Sequence, residues 1–155
     1  MTDIAIQRLG TTDVDLAEQL CRAFTLFQRD EGIAELPVPP VAHLRRLLEK
    51  ENFHALVAVQ DGMVVGGLTA YELTMFPQQA TELFVYDVAV EASYRRQGVG
   101  TALITYVRQL CRTRGIACFY VAALAEEADA VRFYEATGLQ RDNVVWFTQE
   151  FDDIS

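Results

Sequence analysis

"EASYRRQGVGTALI", Glu91 to Ile104, sets two arginines, a glutamine and two glycines between an apolar run and an amphipathic segment. The chain around it is acidic, with a net charge of −9 over 155 residues, so cations gathered at one corner need a reason. A strand that enters such a turn and leaves it as a helix makes a cradle for an anion. The first backbone N–H groups of a helix lack intrahelical partners, and the helix dipole adds positive potential there. Gly98 and Gly100 carry no Cβ, so a diphosphate can come close to the main chain, and Arg95 and Arg96 supply counter-charge. A plain tight turn with solvated arginines would explain a bare G-x-G equally well; the position between apolar strand and amphipathic helix favours the cradle. Two other phosphate loops are excluded. No glycine is followed by lysine, as a Walker A loop requires, and the residue three beyond Gly100 is Leu103, which breaks the dinucleotide fingerprint.

Upstream of this corner, "TELFVYDVAV" from Thr81 to Val90 is an apolar run of strand length. Before it, "FHALVAVQDGMVVGGLTAYEL" places two β-rich runs on either side of Asp61-Gly62, a dipeptide that tolerates the positive φ angles of a two-residue hairpin turn. Ile4, Ile6 and Arg8 alternate as a short first strand. Thr12 or Asp13 then caps a helix to Phe27, whose apolar stripe is Leu16, Leu20, Ala23, Phe24 and Phe27. "QRDEGIAELPVPP" holds Gly32 and three prolines, so it is a loop of functional length, and Pro40 opens a second helix ending near Lys50.

Downstream, Leu103, Ile104, Val107, Leu110 and Cys111 form the stripe of a helix that Gly115 terminates. "ACFYVAAL" reads as a buried strand. "AEEADAVRFYEATGL" reads as a helix ended by Gly138, and "NVVWFTQEF" as a last strand. The order β, α, α, three strands, α, β, α, β mixes antiparallel pairing with a parallel crossover, an α+β class with a mixed sheet.

The length suits one domain, residues 1–155, that buries its core without disulfide or metal. Cys21, Cys111 and Cys118 read as free, mostly buried thiols, and with only His43 and His54 beside them no metal site is expected. The acidic charge argues against nucleic acid. No apolar run reaches membrane-spanning length and the N-terminus lacks a signal pattern, so the expectation is a soluble, cytoplasmic protein with no membrane partner.

"RRQGVG" carries a specific resemblance. Arg95, Gly98 and Gly100 match the [QR]-x-x-G-x-[GA] signature of the GNAT superfamily of N-acetyltransferases, and "AVRFYEATGL" resembles the second half of its acetyl-CoA site. Within that superfamily the chain looks like the aminoglycoside 3-N-acetyltransferases, through "VYDVAV", "LFQRDEG" with its proline-bearing loop, and the hairpin segment. The resemblance implies a sheet of six to seven strands flanked by about four helices and splayed between strands four and five. It also implies acetyl-CoA as co-substrate, with Val88, Ala89 and Val90 along its pantetheine arm and the backbone from Arg96 through Gln97, Gly98, Val99 and Gly100 to Thr101 on its pyrophosphate. Such a protein would be an acyltransferase of antibiotic-resistance type, and, as in many relatives, a homodimer.

Acetyl transfer requires a neutral amine, so a base must remove a proton. Asp87 is the candidate, because a carboxylate that interrupts "LFVYDVAV" is costly unless it is paired or faces a cleft; it could equally anchor a cationic amine. The resemblance assigns Tyr134 as proton donor to the departing thiolate and a strand-four N–H, that of Val88, as the group polarising the thioester oxygen. Glu31, Glu35, Glu126, Glu127 and Asp129, with Asp87, are the acidic residues expected to meet a small polycationic acceptor; the last three also sit where acidic residues favour a helix start. A protein, peptide or polyamine acetyltransferase, or a non-catalytic coenzyme A sensor, are the alternatives.

Overall fold

The computed structural model describes residues 3–27 and 37–152. They divide into two compact units, one up to Ala122 and one from Ala123.

The first unit is built on a five-stranded sheet in the order β1-β2-β3-β4-β5, namely Ala5–Arg8, Phe53–Gln60, Met63–Thr74, Thr81–Val90 and Cys118–Val121. β1 to β4 pair antiparallel and β5 joins β4 in parallel. The β2–β3 turn is the one expected: Asp61 and Gly62 both take positive φ, 52° and 78°.

Three helices cover the two faces. On one side lie α1, Val14–Phe27, and α2, Val41–Glu49. There Ala17, Leu20, Ala23 and Leu44 pack on Phe53, Ala55, Val57 and Val64. On the other side lies α3, Val99–Arg114, whose Val99, Leu103, Val107 and Cys111 pack on Leu56, Ala58, Val65, Leu68, Leu83 and Val85. Successive residues of β2 thus serve opposite faces, which is why "FHALVAV" is apolar throughout instead of alternating. The stripe read for α3 is buried residue for residue, each aliphatic side chain contributing about 1.5–3 kcal/mol. Gly115 closes the helix in a left-handed cap at φ 68°.

Two glycines of β3 answer to space. A Cβ on Gly67 would collide with Leu20 Cδ1 and lie 2.5 Å from the Leu56 carbonyl; on Gly66 it would lie 2.9 Å from the Ala89 carbonyl.

The second unit contains α4, Ala128–Ala136, followed by a turn through Gly138 at φ 90°. The last strand expected in 143–151 does not form, and the described residues hold five strands, not six or seven. Val144, Val145, Trp146 and Phe147 are instead extensively exposed, from 71% to 89%. The segment pairs with no strand among the described residues, and β propensity alone does not make a strand. Cys118 corrects another expectation: all three thiols are free, but this one is exposed, because β5 lies at the sheet's edge.

Candidate active site

A register shift in β3–β4 decides where Asp87 points. Thr69 faces Asp87 but Ala70 faces Val85, so Tyr86 is an extra residue, a β-bulge. Before the bulge, Leu83 and Val85 enter the core under α3. Strict alternation would send Asp87 the same way, into an apolar core. The bulge turns it to the opposite face, and from there on Val88 and Val90 pack toward the α3 side.

Asp87 opens into a cavity of about 160 Å³ between α1, α2 and the sheet. Leu20, Phe24, Leu44, Leu47 and Phe53 give it apolar walls; Cys21, His43, Thr69 and Tyr71 give it polar groups. Thr69 Oγ1 donates to Asp87 Oδ2 at 3.1 Å. Burial raises the Asp87 carboxyl above its ordinary range, and the Thr69 hydrogen bond opposes that rise only in part. Burial also raises the Cys21 thiol and the Tyr71 phenol, each raised further by the Asp87 charge. A carboxylate held this way can accept a proton from, or pair with, a cationic amine.

Beside Asp87, the parallel ladder of β4 and β5 ends at Val85–Val121, while β4 runs on through Val88 and Ala89 to Val90. The strand then enters the corner quoted at the outset. Ala92–Tyr94 form a short 3-10 turn, Arg95 Nε donates to the Val90 carbonyl at 3.3 Å, and Gln97 Nε2 donates to the Ser93 carbonyl at 2.8 Å. Gly98 caps α3 in the left-handed region, φ 87°, and no side chain caps that end. The N–H groups of Val99, Gly100 and Thr101 therefore lie at an uncapped helix start, the geometry an oxyanion needs. A Cβ on Gly98 would meet nothing within 4 Å, so glycine is required there for its φ and not for clearance. Arg96 also takes a positive φ, 63°, an uncommon state for a side-chain-bearing residue.

In the second unit, Tyr134 is half-buried beside Phe133, ring centroids 5.2 Å apart. Burial first, then the Glu127 charge, push its phenol up to about 12. Such a phenol stays protonated at any working pH and acts as a hydrogen-bond donor. Glu126, Glu127 and Asp129 are exposed at the start of α4. Glu127 occupies the cap position but makes no side-chain cap bond, and Asp129 pairs with Arg132. Glu31 and Glu35 lie outside the described residues.

Sequence reading singled out Asp87 but not the cavity that it lines. Thr69 and Tyr71 share a face with Gly67 at the strand period of two, a signal present in "GGLTAY"; nothing in the residues marks Tyr86 as the bulge. Among the described residues no group of three or more His, Cys, Asp or Glu gathers as metal ligands, and no helix is long and apolar enough to cross a membrane.

A profile of the Acetyltransferase (GNAT) family matches residues 14–139. An aminoglycoside acetyltransferase from an uncultured soil metagenomic sample, solved in complex with sisomicin, is 30% identical, with a TM-score of 0.89 over 96% of this chain and 97% of its own. A second aminoglycoside acetyltransferase from such a sample is 35% identical, with a TM-score of 0.88 over 97% and 99%. The [ribosomal protein bS18]-alanine N-acetyltransferase of Escherichia coli is 29% identical over 79 residues, 51% of this chain and 52% of that protein. The chain thus spans about half the length of this curated relative.

Proposed function

The chain belongs to the acetyltransferase (GNAT) family, and from that premise we propose that it transfers the acetyl group of acetyl-CoA to a primary amine of a small polycationic acceptor, an aminoglycoside at its 3-amino group. Residues 1–155 act as one N-acetyltransferase domain in this reading; the family match, which crosses from the first compact unit into the second, supports it.

The observation that carries the reading is the bulge at Tyr86, which sets Asp87 in a cavity next to the end of the β4–β5 ladder. Acetyl-CoA would lie along Val88, Ala89 and Val90, with its pyrophosphate at the start of α3 between Arg95 and Thr101. The fit rests on the uncapped N–H groups there and on the left-handed backbone of Gly98. Asp87 accepts the amine proton directly or through water, or holds the cationic amine until it loses that proton. The Val88 N–H polarises the thioester oxygen. Tyr134 donates a hydrogen bond to the leaving sulfur. Glu31, Glu35, Glu126, Glu127 and Asp129 add acidic contacts for an acceptor with several amines. The acceptor is supported by the two metagenomic relatives, one of them solved with sisomicin. The exposed run Val144–Phe147 supports a homodimer, checked by light scattering during size-exclusion chromatography.

A second acceptor, the N-terminus of a peptide, is favoured by one feature. The cavity walls are mainly apolar, and Asp87 is the one carboxylate among the described residues lining it. The test of both is thiol release from acetyl-CoA in the presence of sisomicin, spermidine or an alanine-initiated peptide. Turnover with sisomicin is expected; turnover with the peptide alone would replace the aminoglycoside assignment, and none with any amine would reject acetyl transfer.

A further inference from the structure

Resting on that reading, we propose that Thr69 is the positioning residue for Asp87: its hydroxyl, reaching across from β3 at the residue where the bulge begins, fixes the carboxylate toward the acceptor cavity.

The geometry is specific. Thr69 and Asp87 are register partners in the β3–β4 ladder, and the pairing shifts immediately after them. The extra residue Tyr86 brings Asp87 to the face that Thr69 already occupies, and both line the same cavity. Among the described residues Thr69 is the one side chain that hydrogen-bonds Asp87, through Oδ2 at 3.1 Å. A bulged strand leaves its residues free to reorient, whereas a β-branched threonine has few χ1 choices and holds its hydroxyl in place. With Oδ2 engaged, Oδ1 is left to meet the amine. Tyr71, further along the same face, stacks edge-on against Tyr86 at 6.0 Å and braces the bulge from its other side.

Other titratable groups line the same cavity: Cys21 from α1, His43 from α2 and Tyr71 from β3. The carboxyl is raised by burial, and Thr69 is the group that pulls it back down. Removing the hydroxyl should therefore raise it further. A hydrogen bond to a charged group corresponds to about one pH unit.

The test compares the intact parent chain with Thr69→Val, which keeps the shape, and Thr69→Ser, which keeps the hydroxyl. Asp87 is followed by carbon NMR of aspartate-labelled protein, its carboxyl resonance assigned by loss in Asp87→Asn. The expected result is a midpoint about one unit higher in Thr69→Val and restored in Thr69→Ser. With acetyl-CoA and sisomicin, the acid limb of kcat/KM should move up by the same amount, so that activity on that limb falls about tenfold. An unmoved midpoint, or a loss of activity uniform in pH, would overturn the role of Thr69. A moved midpoint in a protein that acetylates no amine would support the contact and reject the proposed function instead, so the two failures are distinguishable.

Discussion

Asp87 carries a cost in the fold and, in the proposed reaction, a role. Its carboxyl is raised by burial against the opposing Thr69 bond, so the folded state holds its proton more tightly than the unfolded chain does. That contribution to stability is present below the ordinary carboxylate range and is lost as pH rises through the folded value. Asp87→Asn is accordingly expected to melt higher than the parent at neutral pH, the gap closing in acid, while turnover falls about ten- to ten-thousand-fold. Calorimetry across pH beside a steady-state assay reads both. Tyr134→Phe should lower kcat by a similar factor without a matching change in KM for acetyl-CoA. Because the phenol is pushed up to about 12, it should add no alkaline limb to the parent's pH–rate profile below about pH 10.

At the scale of the element, the strand–turn–helix from β4 into α3 depends on backbone states more than on side chains. Gly98 stands at φ 87° with open space around it, so an alanine there is opposed by conformation alone, about 1–2 kcal/mol. Gly98→Ala should leave the protein folded but raise the Kd for coenzyme A at least tenfold by titration calorimetry, because the uncapped N–H groups would be re-aimed. Gly67 is the opposite case. Its Cβ would collide with Leu20 of α1 and the backbone of β2, and Gly67→Ala is expected to destabilise the domain by about 1–3 kcal/mol in urea unfolding.

Across the first unit as a whole, one polar knot ties distant parts of the chain together. His54 of β2 hydrogen-bonds Glu72 of β3, which Arg114 from the end of α3 grips at 2.9 Å through Nε. Arg114 also donates to the Glu51 carbonyl. Burial lowers the His54 ring despite the carboxylate beside it, and its Nδ1 has no hydrogen-bond partner among the described residues. Burial alone would raise Glu72, but its bonds to His54 and Arg114 outweigh that and lower it. Both shifts act in one direction: stability held at neutral pH is lost as pH falls, first through the ordinary histidine range and then through that of the carboxylate. Glu72→Gln should reduce stability by about 1–3 kcal/mol at neutral pH, flatten the decline through the carboxylate range and steepen it through the histidine range, because the carboxylate that holds the His54 value up is gone; chemical denaturation at several pH values reads both limbs. Hydrogen exchange should also separate the helices, since α3 buries a full stripe and α4 contains no fully buried residue.

Local pattern was enough to establish the elements that declare themselves: the Asp61-Gly62 hairpin, the stripe of α3 and its Gly115 stop, and the "RRQGVG" corner before a helix. Periodicity and φ preference are properties of neighbours in the chain, so they can be read without knowing the fold. The same reasoning placed a strand in 143–151 that does not form, because a strand exists only if another edge bonds it. It selected Asp87 as anomalous in an apolar run, yet could not say which face the carboxylate meets. That depended on the one-residue bulge at Tyr86, and a slip of one residue exchanges the two faces of a strand. Which residues share the cavity, from Cys21 through Thr69 to Asp87, and how His54, Glu72 and Arg114 meet, were decided only by tertiary structure, because those contacts join segments far apart in the chain through strand register and helix packing.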